Sequence, residues 1–347
     1  MKSQLRGKVE RRAAVMVMEG GVGAVRVLVP TRRHLGDANV QLRHAAEKGA
    51  WVWHPERGLR ETAVLRFRLR LELVEPLHTV VHVTADQRFQ LRCNGQDLTY
   101  GPDRCDVAHW TVHSLQLELA PGVHDLEALV WFIADPAAGQ EPGAKSPMAQ
   151  MSLHAGFLLF AEGVDAGVMN TGTAPWRVED LTQWVGMKQA ALPFYHVAGP
   201  SFQFDLAGWG VGEGKATQVV LAALVENLHG VHLPGWWLHG ADLPEQKRER
   251  WNGGRVRAVR AGLGTRAFTA AEAAAPELAR WQEMVNGTGT LTVPAHTKVT
   301  VLWDVEKYLC GYPEFTWEGG AGAEVAWDWA EALYEVAEMS AVKSETD

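Results

Sequence analysis

Cysteine is the scarcest informative residue in this chain. There are three, Cys93, Cys105 and Cys310, an odd number spread over 347 residues. That excludes a disulfide framework and a four-ligand structural zinc site, and it fits a reducing compartment, so a cytoplasmic location is expected. Long apolar runs are also missing. The stretch Ala13–Met18 is six residues long and ends at Glu19, too short for the hydrophobic region of a signal peptide, and nothing approaches a membrane span. Positive charge is in deficit, with 33 Lys and Arg against 41 Asp and Glu and a formal net charge of -8. No dense basic stripe offsets it, which argues against nucleic acid as a partner. The chain shows no Rossmann glycine pattern, no phosphate loop and no internal repeat. It offers no arguable Ser-His-Asp or Cys-His nucleophile arrangement, so no cofactor and no metal are expected.

Tryptophan, by contrast, is abundant: 15, against 5 tyrosines. Indoles bury large areas in cores, and they also form the flat platforms on which sugar rings stack. Hydrophobic residues at 47% and charged residues at 21% describe a globular chain, long enough for two domains with separate cores. A neutral ligand such as a sugar suits the acidic charge balance.

Strand patterning dominates the organisation. Residues 1–45 carry Arg6, Lys8, Arg11, Arg12, Arg26, Arg32, Arg33 and Arg43 with weak periodicity. They are expected to be a basic N-terminal extension, either a flexible arm or the product of an early start codon, with the globular pattern beginning at Trp51. In Ala63–Leu73 the residues Leu65, Phe67, Leu69, Leu71 and Leu73 alternate with Arg66, Arg68, Arg70 and Glu72, a half-buried strand. Val81–Cys93 repeats the device and meets Asn94-Gly95, a hairpin signal. Ser114–Leu119 alternates again and turns at Pro121-Gly122. A loop is expected over 135–147 and strands over 150–160, 290–293 and 298–305. One helix is expected over Thr269–Val285, with Thr269 and Glu272 as a capping box. The expected fold is all-β: a jelly-roll, galactose-binding-like sandwich over residues 46–240 and a smaller, concanavalin-like sandwich over 241–340, followed by a polar tail at 341–347.

Asp103, Arg104, Asp106, His109 and Trp110 fall together in one loop after a hairpin. They suit a sugar-binding rim, the Asp and Arg side chains bonding hydroxyls and the indole giving an apolar face. The competing reading makes Asp103 and Asp106 turn formers and Trp110 core. The run His229-Gly-Val-His232 with Trp236, Trp237 and His239 lacks the carboxylate or thiolate spacing of a metal site. His78 and His82, four apart on a strand, lie roughly 13 Å apart and cannot share an ion. Asp328 and Glu331 face opposite sides of a strand and do not converge as an acid–base pair. Cys93 sits on an apolar strand face and is expected to be inert.

Four stretches occur in one order: Trp51-Val-Trp53-His-Pro-Glu56; Ala85-Asp86-Gln-Arg88-Phe89 through Cys93-Asn94-Gly95; Gly101-Pro102-Asp103-Arg104 with Asp106 and His109-Trp110; and Cys310-Gly311-Tyr312-Pro313 with Gly320-Ala321-Gly322-Ala323 and Ala330-Glu331-Ala332-Leu333-Tyr334. Together they resemble the part of bacterial α-L-rhamnosidases, the family 78-like glycoside hydrolases, that precedes the helical catalytic barrel. The resemblance implies N-terminal, non-catalytic β-sandwich domains that bind carbohydrate and scaffold the enzyme. It also implies a rhamnose-containing glycan as ligand and a helical-barrel catalytic domain as partner. The barrel carries the glutamates that perform inverting hydrolysis in that family, and no residue of this chain matches them. An active rhamnosidase completed by a separate catalytic chain and a ligand-free interaction module are the alternatives. Rhamnose is a 6-deoxy sugar, and its methyl group would suit an indole such as Trp110.

Overall fold

The structure, a computed structural model, describes residues 22–27, 49–104, 109–134, 152, 154–188, 201–209, 212–220, 224–226, 232–234, 237–241, 243–244, 248–264, 267–309, 311 and 313–329. The chain is all-β and divides into two compact units, Met1–Gln246 and Lys247–Asp347.

The first unit contains strands β1 (Val22–Val27), β2 (Val52–Trp53), β3 (Ala63–Leu73), β4 (Leu77–Asp86), β5 (Arg88–Cys93), β6 (Gln96–Gly101), β7 (His109–Leu119), β8 (Gly122–Phe132) and β9 (Gly156–Ala161). A short helix α1 (Ala166–Met169) precedes β10 (Arg177–Asp180), β11 (Val185–Lys188), β12 (Ser201–Phe204), β13 (Lys215–Ala216), β14 (Gln218–Val219), β15 (Leu224–Glu226), β16 (His232–Pro234) and β17 (Trp237–Gly240). Two sheets carry most of them, in the orders β1-β7-β4-β9-β2-β14 and β13-β10-β3-β8-β5-β6, with β17 added to β7.

The alternation in β3 does what its period requires. Leu65, Phe67, Leu69 and Leu71 are buried, while β3 pairs with β8 along its whole length, from Ala63 opposite Phe132 to Leu73 opposite Gly122. Val81, Val83, Leu115, Leu117, Phe157 and Leu159 of the other sheet complete the same core. Aromatic rings tie the layers together: Phe67 meets Phe157 at 4.8 Å and Trp53 at 6.1 Å between centroids. Each fully buried side chain of this size contributes about 1.5–3 kcal/mol.

Successive strands mostly change sheet. β3, β5, β8 and β10 lie in the six-stranded sheet, whereas β4, β7 and β9 lie in the seven-stranded one. The turn at Pro121-Gly122 therefore carries the chain from one sheet to the other. The Asn94-Gly95 turn does make a hairpin, β5 to β6, with both residues at positive φ (51° and 77°), as a two-residue turn matching strand twist requires.

Residues 22–27 fall within the expected extension, yet they form β1 and pair antiparallel with Ser114–Leu119 of β7. The sheet thus begins well before Trp51. Weak periodicity concealed this strand, because an edge strand needs only backbone pairing along one side. β17 runs parallel to β7 over His109–Val112, so two segments distant in sequence share one edge of β7.

The polar side of the six-stranded sheet is partly covered. Arg66 is only 4% exposed; it pairs with Glu179 at 3.2 Å, bonds the Trp209 carbonyl at 3.1 Å and lies over the Trp209 ring. Val64, Leu181 and Val185 form a small second core there, with Trp131, Trp184 and Trp209 against it.

In the second unit β18 (Arg255–Ala261) and β19 (Val299–Asp304) form an antiparallel ribbon with a bulge between Val256 and Ala258. Helix α2 spans Leu278–Val285, shorter than the expected helix. Residues Glu272–Ala274 make a separate 3-10 turn, and Ala275 is extended (ψ 137°), as the residue before Pro276 must be. The capping box is present all the same: the Thr269 amide donates to Glu272 Oε2 at 2.7 Å and the Glu272 amide to Thr269 Oγ1 at 3.3 Å. Glu272 also bonds the buried Arg260 at 2.7 Å, and Gln282 ties α2 to β18 through the Val256 amide and Gly254 carbonyl. Among the described residues, no helix is long and apolar enough to cross a membrane.

Candidate functional site

The loop that carries the expected rim leaves β6 at Gly101 and Pro102, and its stem is anchored from two sides. Arg88 Nη1 donates to the Pro102 carbonyl at 2.6 Å. The Asp103 amide donates to His113 Nε2 at 3.1 Å, which places the proton of a neutral His113 ring on Nδ1, facing Thr99 Oγ1 at 3.3 Å. The Asp103 carboxylate also reaches within 3.4 Å of His113 Nε2. His113 is itself buried and stands edge-on to Phe89 at 5.8 Å. Gly101 is needed where it stands, since a Cβ there would come within 2.8 Å of His113 Nε2 and 2.9 Å of Phe89 Cε1. The turn between β4 and β5 is tied down as well. Buried Asp86 accepts from Ser152 at 2.6 Å, and the Gln87 amide bonds both the N–H and the C=O of Ile133 at 2.9 Å.

Trp110 does not share a surface with Asp103 and Arg104. Asp103 is half-buried and Arg104 exposed, adjoining each other at the end of the anchored stem. Trp110 is fully buried, and its Nε1 donates to the Ala85 carbonyl at 3.3 Å. As an indole face for a sugar, Trp110 is therefore corrected to core: it lies inside β7 opposite Leu238 of β17, itself buried. His109 opens β7 opposite Trp237. Asp106 and the side chain of His109 lie outside the described residues, as do Cys105, Cys310, Glu331 and the side chains of His229, His232 and Trp236.

One polar chain escaped the sequence reading. His82 Nδ1 meets Ser114 Oγ at 2.8 Å and its Nε2 meets Glu162 Oε1 at 2.9 Å, with the ring stacked on Phe160 at 4.7 Å. The residue types are those of an acyl-transfer triad, yet Ser114 and His82 are closed to solvent, so no substrate carbonyl reaches the hydroxyl. Burial pushes the His82 ring below its ordinary range, against the pull of Glu162. The array satisfies polar groups inside a covered sheet face. Only strand register reveals it, because Ser114 stands opposite His82. Among the described residues, no three His, Cys, Asp or Glu side chains gather as metal ligands. Cys93 is buried, and desolvation with the nearby Asp125 charge raises its thiol to about 11, so it is not a nucleophile at neutral pH.

The second unit holds an aromatic cluster. Trp251 and Trp303 stack with planes 2° apart at 6.2 Å. Trp327 stands edge-on or tilted to Trp303, Phe315 and Trp329, at 5.4, 5.0 and 5.3 Å. Lys307 lies over the Trp251 ring at 4.4 Å. Beside the ribbon, Arg255, Arg257, Ala273, Leu278 and Gln282 line an open depression.

No protein-family profile matches the chain, and no curated protein matches it. Several solved structures resemble part of it. A GH78 family rhamnosidase of Bacillus sp. GL1 shares 18% identity over 62% of this chain and 22% of its own, with a TM-score of 0.44. An α-L-rhamnosidase from Dictyoglumus thermophilum shares 10% identity over 62% of this chain and 24% of its own, with a TM-score of 0.33. A lectin from Pleurotus ostreatus, in complex with GalNAc, shares 14% identity over 50% of this chain and 41% of its own, with a TM-score of 0.27. The chain thus spans between 22% and 41% of the length of these proteins.

Proposed function

We propose that this chain is a carbohydrate-binding and scaffolding module of α-L-rhamnosidase type, which takes a rhamnose-containing glycan at Asp103 and Arg104. The observation that carries this reading is the anchored stem. Arg88 and the buried His113 fix the backbone up to Asp103, so the half-buried Asp103 and the exposed Arg104 follow one another at a rigid strand end. A carboxylate and a guanidinium so placed can accept from and donate to neighbouring sugar hydroxyls, with little ordering cost on binding. The sequence motifs that resemble the rhamnosidase pattern, 85–95 and 101–104, supply Arg88, Pro102 and Asp103 of this stem, while its other anchor, His113, lies outside them. Hydrolysis in this reading belongs to a helical-barrel partner, and the chain alone does not turn over an aryl α-L-rhamnoside.

Calorimetric titration with L-rhamnose tests the assignment on the wild type, Arg104→Ala and Asp103→Asn. Asp103→Asn keeps the amide that anchors His113 and removes only the charge. Saturable binding that weakens in both variants, with unchanged melting temperature, is the expected result. No heat up to millimolar sugar, or binding indifferent to both substitutions, would refute the rim.

A further inference from the structure

We propose that His113 is a pH-sensitive positioning residue for the Asp103–Arg104 rim. Charging its ring exchanges the Asp103 amide for the Asp103 carboxylate as its partner and withdraws that carboxylate from a ligand. The inference rests on the carbohydrate reading above and adds to it a condition under which the site releases its sugar.

Geometry fixes the resting state. His113 projects from β7 into the sandwich and is buried, edge-on to Phe89. Its Nδ1 faces Thr99 Oγ1 at 3.3 Å, and the Thr99 hydroxyl is directed at the Tyr100 carbonyl, which leaves its oxygen to accept from Nδ1–H. On the other side of the ring, Nε2 accepts from the Asp103 amide at 3.1 Å. A backbone amide always keeps its hydrogen, so this bond requires a lone pair on Nε2 and therefore a neutral ring; a charged imidazole is a donor at both nitrogens.

A second acceptor stands at the same nitrogen. Asp103 Oδ1 lies 3.4 Å from Nε2, on a side chain still 21% exposed. Once the ring takes a proton, Nε2–H points at an amide that cannot accept, and the carboxylate is the acceptor within reach. A charge-assisted bond closes to about 2.7–2.9 Å, so the carboxylate moves inward by about half an ångström. The rim thereby loses its acceptor, and the stem loses the bond that held its backbone. The ring has little room to turn away instead, since a Cβ at Gly101 would already come within 2.8 Å of Nε2.

Asp103 is the charged partner of the ring among the described residues. On β4, His78, His82 and Asp86 alternate onto the outer face of the sheet, away from Val83, which pairs with His113. Arg88 and Arg92 of β5 and Asp97 of β6 likewise point away from the side that Phe89 and Thr99 share. Glu118 of β7 lies on the outer face with Ser114, and His124 of β8 is taken up by Asn94 and the Ala120 carbonyl. His239 of β17 stands level with Thr111, two residues from His113; its charge would add to that of His113 and not cancel it.

The test follows the full chain, isotope-labelled at its histidines and aspartates, by NMR from about pH 8 to about pH 5, the span in which imidazoles change charge. Calorimetric titration with L-rhamnose runs alongside at each pH. As the His113 ring charges, the Asp103 amide should shift with the same midpoint, and rhamnose should bind about tenfold more weakly. By linkage, saturating rhamnose should keep the ring neutral to lower pH by the same factor. His113→Gln offers the amide an acceptor that cannot charge, so its rhamnose affinity should be flat across the range, while His82→Gln should keep the wild-type response. If His113→Gln does not fold, Asp103→Asn supplies the second reading: with the carboxylate gone, the ring should charge at lower pH than in the wild type. An Asp103 amide that ignores the charging of His113 overturns the inference, as does a ring that stays neutral throughout the range, or an affinity that falls equally in His113→Gln. Rhamnose binding absent at every pH would sink the rim reading alone, because the Asp103 amide decides the exchange of partners without the sugar.

Discussion

Replacing Trp110 by alanine should damage stability and leave the chemistry of the rim alone. The indole is fully buried in β7, and its Nε1–H occupies the Ala85 carbonyl at 3.3 Å. Truncation opens a cavity of nearly a whole indole and strips that carbonyl of its donor, at a cost of about 3–5 kcal/mol. At roughly 2–4 °C per kcal/mol for a domain of this size, the melting temperature should fall by about 6–20 °C. Trp110→Phe refills much of the space but not the hydrogen bond, and should fall between alanine and wild type. Differential scanning calorimetry on the three proteins, with rhamnose titrations run well below each transition, separates packing from binding. A Trp110→Ala protein that melts within a degree or two of wild type while losing rhamnose binding would refute the reasoning, and would return the indole to the ligand surface.

Gly101→Ala should cost about 1–3 kcal/mol and disturb the rim, because its Cβ meets His113 Nε2 at 2.8 Å and Phe89 Cε1 at 2.9 Å; thermal melts and the rhamnose titration should both register it. Acidification should weaken the first unit through His82. Burial lowers its folded pKa from the ordinary 6.5, so between the two values the unfolded chain binds the proton and the folded one does not. Stability is therefore full above about pH 6.5 and declines as pH falls through that window, and urea melts of His82→Gln should show a shallower decline. Cys93, with its thiol at about 11, should stay unmodified by iodoacetamide at pH 7.5 in the native chain and react after denaturation; peptide mapping reads this directly.

The parts of the fold legible in the sequence were those where one face is wet and one is dry. β3 and the β5–β6 hairpin declared themselves through period and through Asn94-Gly95, and the Thr269–Glu272 box through its spacing. Misreadings arose where a face that should be wet is covered by chain from far away. Arg66 alternates with leucines like a solvent-facing residue, yet Trp209 and Glu179 close over it. Trp110 sits among polar residues in sequence, and β17, from much later in the chain, lies against its strand. The helix over 269–285 failed at Pro276, whose local rule outweighed the periodicity around it. Of the candidate site, the sequence placed Asp103 and Arg104 at a loop, but it could not announce His113 as the anchor, because only the register of β7 brings that ring beneath the loop.

The strand order has a consequence for how the chain comes to be folded. β9 lies between β4 and β2, and the edge of β7 is finished by β1 from one side of the sequence and β17 from the other. Apart from β5 and β6, almost no neighbours in the two sheets are neighbours in sequence. Such a layout postpones the reward for closing long loops, and it places this sandwich among slow folders, on the millisecond-to-second scale. On the ribosome the seven-stranded sheet stays open along β4 until β9 has emerged, and the β7 edge stays incomplete until residue 240 is clear of the exit. Until then half-built sheets with bare edges are the species most exposed to wrong pairing, so the yield of this protein in a cell will depend on chaperone supply more than its final stability suggests.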